Sequence, residues 1–313
     1  MPRGCRSTDR STDRIDARSY PSAVPLIRFH DPGDLVAPTM IAAFDGWIDA
    51  GSASTTAAGR LAGDGESIAT FEGDVLFDYR ARRPTLEITD GRLSELTWPE
   101  LVVRRAHIED RDVLVLSGAE PDYRWQELSE AVVELVRRLD VAEWISLGAI
   151  PAAVPHTRPV PILGTESSPG LLRADVRPGP DGLLRVPAAA LSVLELAVSQ
   201  AGVPAVGYFA QVPHYVSGGY PAAAVALTQT VAQHLHIDLD LSELTDDARQ
   251  LRNRLDTATA VDETTRAYVE RLESMVDEER LPAGDDLIAD IERFLRDRGG
   301  SSNPPGGPGT RLN

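Results

Sequence analysis

The chain has 313 residues and a formal net charge of −17, with 42% hydrophobic and 25% charged residues. That is the composition of an ordinary globular protein large enough to bury a core without disulfide or metal staples. All 31 basic residues are arginine and the single cysteine is Cys5, which excludes lysine-based phosphate binding or Schiff-base chemistry, disulfides and cysteine-ligated metal centres.

The acidic balance repels phosphate backbones and anionic lipid, so neither nucleic acid nor a membrane is an expected partner. No apolar run reaches the length of a spanning helix, and no apolar segment follows the N-terminal arginines as a secretory signal requires. The expected compartment is the cytoplasm.

Residues 1–24 carry the polar doublet RSTDRSTD and are expected to be a disordered tail. From residue 25 to about 240, short apolar runs alternate with helical patterns. Residues 40–44 (MIAAF) read as a strand buried on both faces, and residues 51–61 as a small-residue helix able to sit close on a sheet. Residues 67–71 and 75–79 read as further strands. Residues 112–116 (DVLVL) form a strand, and 126–139 a helix with Leu128, Val132, Leu135 and Val136 on one face. Then follow a strand at 144–150, a helix at 187–200, a strand at 205–211 and a helix at 221–235. Such alternation predicts an α/β domain with a parallel or mostly parallel sheet and helices on both faces.

From Leu241 the pattern is helical only. Leu241, Leu244, Ala248, Leu251 and Leu255 make one stripe, Tyr268, Leu272, Met275 and Val276 a second, and residues 287–295 a third. Residues 238–298 carry 18 acids against 9 arginines. Two readings stand: solvated acidic backs of amphipathic helices, which is favoured, or a docking arm for a basic partner. Residues 241–298 are therefore an acidic helical extension, and 299–313 a second disordered tail.

Ligands of an open parallel sheet bind beyond the carboxyl ends of the strands. Four predicted strands run into polar groups there. The first leads to Asp45, Gly46, Trp47 and Asp49, the second to Glu120 and Trp125, the third to His156 and Arg158, and the fourth to His214 and Tyr215. If all four are parallel, these residues share one rim. Asp45 with His156 or His214 could supply a base and its orienter, and Arg158 an oxyanion stabiliser. Structural roles compete. Asp49 could cap the helix from Gly51, and Glu120 the helix near Gln126. The two Pro-His pairs could be corners bonding backbone carbonyls, and Arg158 could pair Glu120 or Asp45. There is no G-x-S-x-G elbow, no H-E-x-x-H and no G-x-G-x-x-G after a strand. His234 and His236 are two apart, which places them on different helix faces.

Several separated motifs occur in a meaningful order: FDGWIDAGSAS at 44–54, RRP at 82–84, Trp98-Pro99, GAEPDYRW at 118–125, PHTRP at 155–159, GPDG at 179–182 and VPHY at 212–215. Over about Phe29 to Leu235 the chain resembles the actinobacterial branch of the proteasome assembly chaperone 2 family. The resemblance implies a three-layer α/β/α sandwich, similar to the purine nucleoside phosphorylase architecture, and oligomers, with a homotrimer favoured. Eukaryotic relatives are subunits of a heterodimeric chaperone that helps assemble the ring of proteasome α subunits. The bacterial branch carries over no settled activity, and Asp181 departs from the family's GPTG turn. The phosphorylase-like architecture transfers no activity either, since function belongs to the site.

The expected function is a non-catalytic protein-binding or assembly factor with an unidentified protein partner and no cofactor. The alternative is an enzyme or a binder of a nucleoside-like or anionic small ligand, using the polar rim. An enclosed pocket would favour the second and an exposed apolar patch the first.

Overall fold

A continuous apolar run is satisfied only by burial on both sides, and residues 40–44 lie at the centre of the sheet. The protein is described by a computed structural model over residues 25–277, position 181 excepted. The two expected tails, the third apolar stripe and the Asp181 departure lie outside the described residues. In chain order the strands are β1 (Ile27–Phe29), β2 (Thr39–Asp45), β3 (Glu66–Phe71), β4 (Thr85–Thr89), β5 (Arg92–Thr97), β6 (Leu101–Ile108), β7 (Arg111–Ala119), β8 (Glu143–Ala152), β9 (Ile162–Glu166), β10 (Arg177–Pro178) and β11 (Ala205–Pro213). The helices are α1 (Ala53–Ala62), α2 (Gly73–Leu76), α3 (Trp125–Arg138), α4 (Ala190–Gln200), α5 (Pro221–Leu235), α6 (Ser242–Val261) and α7 (Glu263–Asp277).

Nine strands form one sheet in the order β1-β3-β6-β7-β2-β8-β11-β9-β10, and β4 and β5 pair apart from it as a hairpin. The four central strands β7, β2, β8 and β11 are parallel. Antiparallel strands β6, β3 and β1 extend the sheet on one side and β9 on the other, with β10 parallel to β9.

The pleat of β2 explains its composition. Met40, Ala42 and Phe44 point into a core layer shared with Leu128, Val132, Leu135 and Val136 of α3 and with Leu191, Leu194 and Val198 of α4. Ile41 and Ala43 point into the opposite layer, with Ala53, Ala57, Ala58 and Leu61 of α1 and Ala223, Ala224, Leu227 and Val231 of α5. The result is a three-layer α/β/α sandwich. Each fully buried leucine in these layers contributes about 1.5–3 kcal/mol over an exposed one.

Residues 75–79 are not a strand. The chain makes the single turn α2, with the amide of Phe77 donating to the carbonyl of Gly73 at 3.0 Å. The Tyr79 hydroxyl reaches back to Asp74 at 2.9 Å, closing the segment on itself. The alternation of Val75, Phe77 and Tyr79 imitates a strand, but Leu76 and Phe77 are both buried, which a one-faced strand cannot achieve. Helix α4 starts at Ala190 instead of Pro187.

Of the two described helices after residue 240, α6 has no fully buried residue. Its Leu244, Leu251 and Leu255 are half-buried against the layer that holds α5. Helix α7 buries Val269 and Leu272. No helix among the described residues is long and apolar enough to cross a membrane.

Candidate functional site

Because β7, β2, β8 and β11 are parallel, Glu120, Asp45, His156 and His214 all follow the same end of the sheet. They do not form one cluster. The rim divides between β2 and β8 into two hydrogen-bonded networks.

The first network is built at the ends of β2 and β7. Arg82 places Nη1 2.7 Å from each oxygen of Asp45. Asp45 Oδ1 also accepts the backbone N–H of Glu120 at 3.0 Å. Glu120 in turn accepts the N–H of Ala190, at the start of α4, at 2.8 Å and that of Trp47 at 3.3 Å. The expected cap on the helix near Gln126 is thus corrected: the Glu120 carboxylate serves α4, and this bond fixes where α4 begins. Gly46 lies between these groups at φ +120°, and a Cβ there would sit 2.7 Å from a Glu120 carboxylate oxygen. Only glycine meets both conditions. Asp49 does serve the first turn of α1, accepting the amide of Ser54 at 2.8 Å and the hydroxyl of Thr55 at 2.5 Å. Trp125 is half-buried on its own chain, its indole donating to the Pro121 carbonyl at 2.6 Å, while Trp47 is half-exposed. A cleft of about 420 Å³ opens beside this network, between Asp45, Arg82, Glu100 and Ser117, with Thr55 of α1.

The second network joins β8 and β11 to α6 and α7. The amide of His156 donates to the Tyr215 hydroxyl at 2.7 Å, and the same hydroxyl lies 2.7 Å from His156 Nδ1. The hydroxyl proton therefore goes to Nδ1, and Nε2–H faces Asp256 of α6 at 3.2 Å. His214 donates Nδ1–H to the Ala152 carbonyl at 3.0 Å, which leaves Nε2 to accept from Tyr268 of α7 at 3.1 Å. Arg158 forms a bidentate pair with Asp277 at 2.9 and 2.7 Å and meets Glu273 at 3.2 Å. Glu273 also accepts the Thr157 hydroxyl. Burial holds the His156 imidazole below its ordinary range, against the opposing pull of Asp256. Burial likewise raises the Tyr215 phenol. Beside Arg158 the carboxyl of Asp277 falls below its usual range.

Three further sequence expectations change. Arg158 pairs with neither Glu120 nor Asp45, because α7 brings two acids closer. Asp45 has Arg82 and an amide as its partners, and both histidines belong to the other network. Of the two Pro-His corners, only that of His214 bonds a backbone carbonyl. Sequence reasoning missed Arg82, Asp256, Tyr268, Glu273 and Asp277. Arg82 was visible only as part of the RRP motif, Tyr268 only as a member of an apolar stripe, and the three acids only as polar positions on amphipathic helices. Among the described residues no group of three His, Cys, Asp or Glu is placed to hold a metal ion.

Between Arg82 and Glu100, every residue of β4 and β5 is exposed. Leu86 pairs across the hairpin with Leu96, and Ile88 with Leu93. The four form one apolar face, 46–72% exposed, extended by Trp98 at 49%.

A family model described as the PAC2 family matches residues 43–259. No curated protein matches the chain. Among solved structures, the chain is similar to a protein of unknown function from Mycobacterium tuberculosis, with TM-score 0.78, 32% identity, and coverage of 90% of this chain and 99% of that one. It is similar to a protein of unknown function from Corynebacterium glutamicum, with TM-score 0.76, 33% identity, and coverage of 81% and 97%. It is also similar to a proteasome-assembly chaperone homologue from Mycobacterium tuberculosis, with TM-score 0.67, 32% identity, and coverage of 74% and 99%.

Proposed function

The chain belongs to the PAC2 family, and from that premise we propose that it is a non-catalytic, cytoplasmic protein-binding or assembly factor. The observation that carries this reading is the β4–β5 hairpin. Monomeric proteins rarely expose contiguous apolar patches beyond a few hundred Å² unless a partner covers them. An isolated two-stranded hairpin is also marginal in water, so an apolar hairpin face gains most from being covered. The family resemblance to an assembly chaperone homologue supports the same reading. So does the rim, where Asp45 and Glu120 are committed to an arginine and to backbone amides. In this reading residues 25–240 are the sandwich body and residues 241–298 the acidic arm, and the chain is a homo-oligomer, with a trimer favoured.

The test is the double variant Ile88→Ser, Leu93→Ser. Both side chains are exposed, so the melting transition of the isolated chain should stay within about 0.5 kcal/mol of wild type. Affinity capture from the native cytosol should lose a specific protein partner, or light scattering should show a smaller assembly than wild type. Unchanged capture together with unchanged mass would remove the hairpin from the argument.

A further inference from the structure

Beside the second network, between α5 and α6, lies a cleft of about 540 Å³. Small residues create it. Helix α5 turns Ala222, Val225 and Ala226 to the gap, and α6 faces it with Ala248 and Leu255. Its size falls within the range of about 300–1,000 Å³ used for small organic ligands.

The charged part of the wall is Arg158, Arg249 and Arg252, and no carboxylate lines it. In a chain with 48 acids and 31 arginines such a segregation needs a cause. The neighbouring acids are not missing but stand behind the arginines. Asp246 holds Arg249 at 2.7 Å, Asp277 holds Arg158 at 2.7 Å, and Asp256 is 3.4 Å from Arg252. The last distance is long for a hydrogen bond, so the Arg252 guanidinium keeps its donors for another acceptor. Arg249 and Arg252 are three apart on α6 and therefore share a face. A planar guanidinium matches the two oxygens of a carboxylate or phosphate.

We propose that this cleft binds a small organic anion. Its carboxylate or phosphate head meets Arg252 and the Nε and Nη2 donors of Arg249, whose Nη1 alone is on Asp246, and its compact apolar body lies against Ala226 and Leu255. Arg158 contributes charge but is held by α7.

Titration calorimetry on the full chain tests this with three probes: phenyl phosphate, benzoate, and inorganic phosphate as the head alone. Saturable binding of at least one aryl anion is expected, tighter than inorganic phosphate. The double variant Arg249→Gln, Arg252→Gln should weaken it by about tenfold or more. Ala226→Leu, which fills the apolar wall and touches no charge, should weaken the aryl anion as well. Melting curves of each variant separate lost binding from lost folding. No binding heat for any probe up to about 10 mM overturns the proposal. Equal affinity for phenyl phosphate and inorganic phosphate, or unchanged affinity in the arginine variant, overturns it too.

Discussion

Glu195 on α4 is a carboxyl in the wrong medium. Burial pushes its pKa up, and hydrogen bonds from Ser146 and Thr165 only partly oppose that. A carboxyl whose folded pKa is raised stabilises the fold below its unfolded value and loses that stability as pH rises through the folded value. Glu143 behaves in the opposite sense. The hydrogen bond from His234 lowers its pKa, burial opposes this, and Thr39 adds a second donor. Its contribution is present above 4.5 and is lost as pH falls through the folded value. Glu195→Gln removes the ionisation and keeps the shape, so it should melt higher than wild type at pH 8, with the gain shrinking toward about pH 4. Glu143→Gln should melt lower at pH 8 and converge with wild type in acid. Parallel melting profiles for all three proteins would contradict both assignments.

Strand β7 ends on a tighter constraint. Gly118 has φ +142°, and a Cβ there would lie 2.0 Å from the Glu100 carbonyl oxygen, which accepts the Ala119 amide at 2.9 Å. Gly118→Ala must either break that bond or move β6, and should cost about 3 kcal/mol or more by denaturant unfolding. An effect below about 1 kcal/mol would show that the β6–β7 junction yields more readily than its geometry implies. The strands that the sequence makes legible are those whose burial is simple. MIAAF, DVLVL and residues 144–150 are buried on both faces, and an apolar run says so directly. Strand β6 (LVVRRAHI) hides because Arg104 and Arg105 interrupt it, although Arg105 spends its charge on the carbonyls of Pro32 and Asp34 and on Asp112. The β4–β5 hairpin carries a readable signal, alternating residues around Asp90-Gly91, although no strand is among the expected elements there. The rim was legible as a set of strand ends, since Asp45, Glu120, His156 and His214 do follow parallel strands. Its division was not, because the groups that divide it, Arg82 and the acids of α6 and α7, lie 37 to 119 residues away in sequence.

At the scale of the whole molecule, the remaining question is whether α6 and α7 are a cover or a detachable platform. The first stripe points inward through Leu244, Leu251 and Leu255, which pack against the α5 layer, and Leu272 of the second is buried together with Val269, a position outside the expected stripe. The polar ties are just as directional. Asp256, Tyr268, Glu273 and Asp277 each bond a residue at the ends of β8 or β11. A platform meant to leave would not place its apolar stripe and its charges against the same body. Deleting residues 241–313 should uncover the outer side of α5 and strand the buried His156 without its Asp256 acceptor. The truncated chain is therefore expected to aggregate, or to melt several degrees below the full chain with increased binding of a hydrophobic dye. Salt discriminates the alternative. A platform would leave a soluble, normally melting sandwich and would lose a partner whose capture weakens above about 0.15 M salt, where exposed charge contacts are screened. Packing predicts the first outcome, because the half-buried α6 stripe against the α5 layer and the buried Val269 and Leu272 of α7 carry more stabilisation than the exposed ion pairs around them.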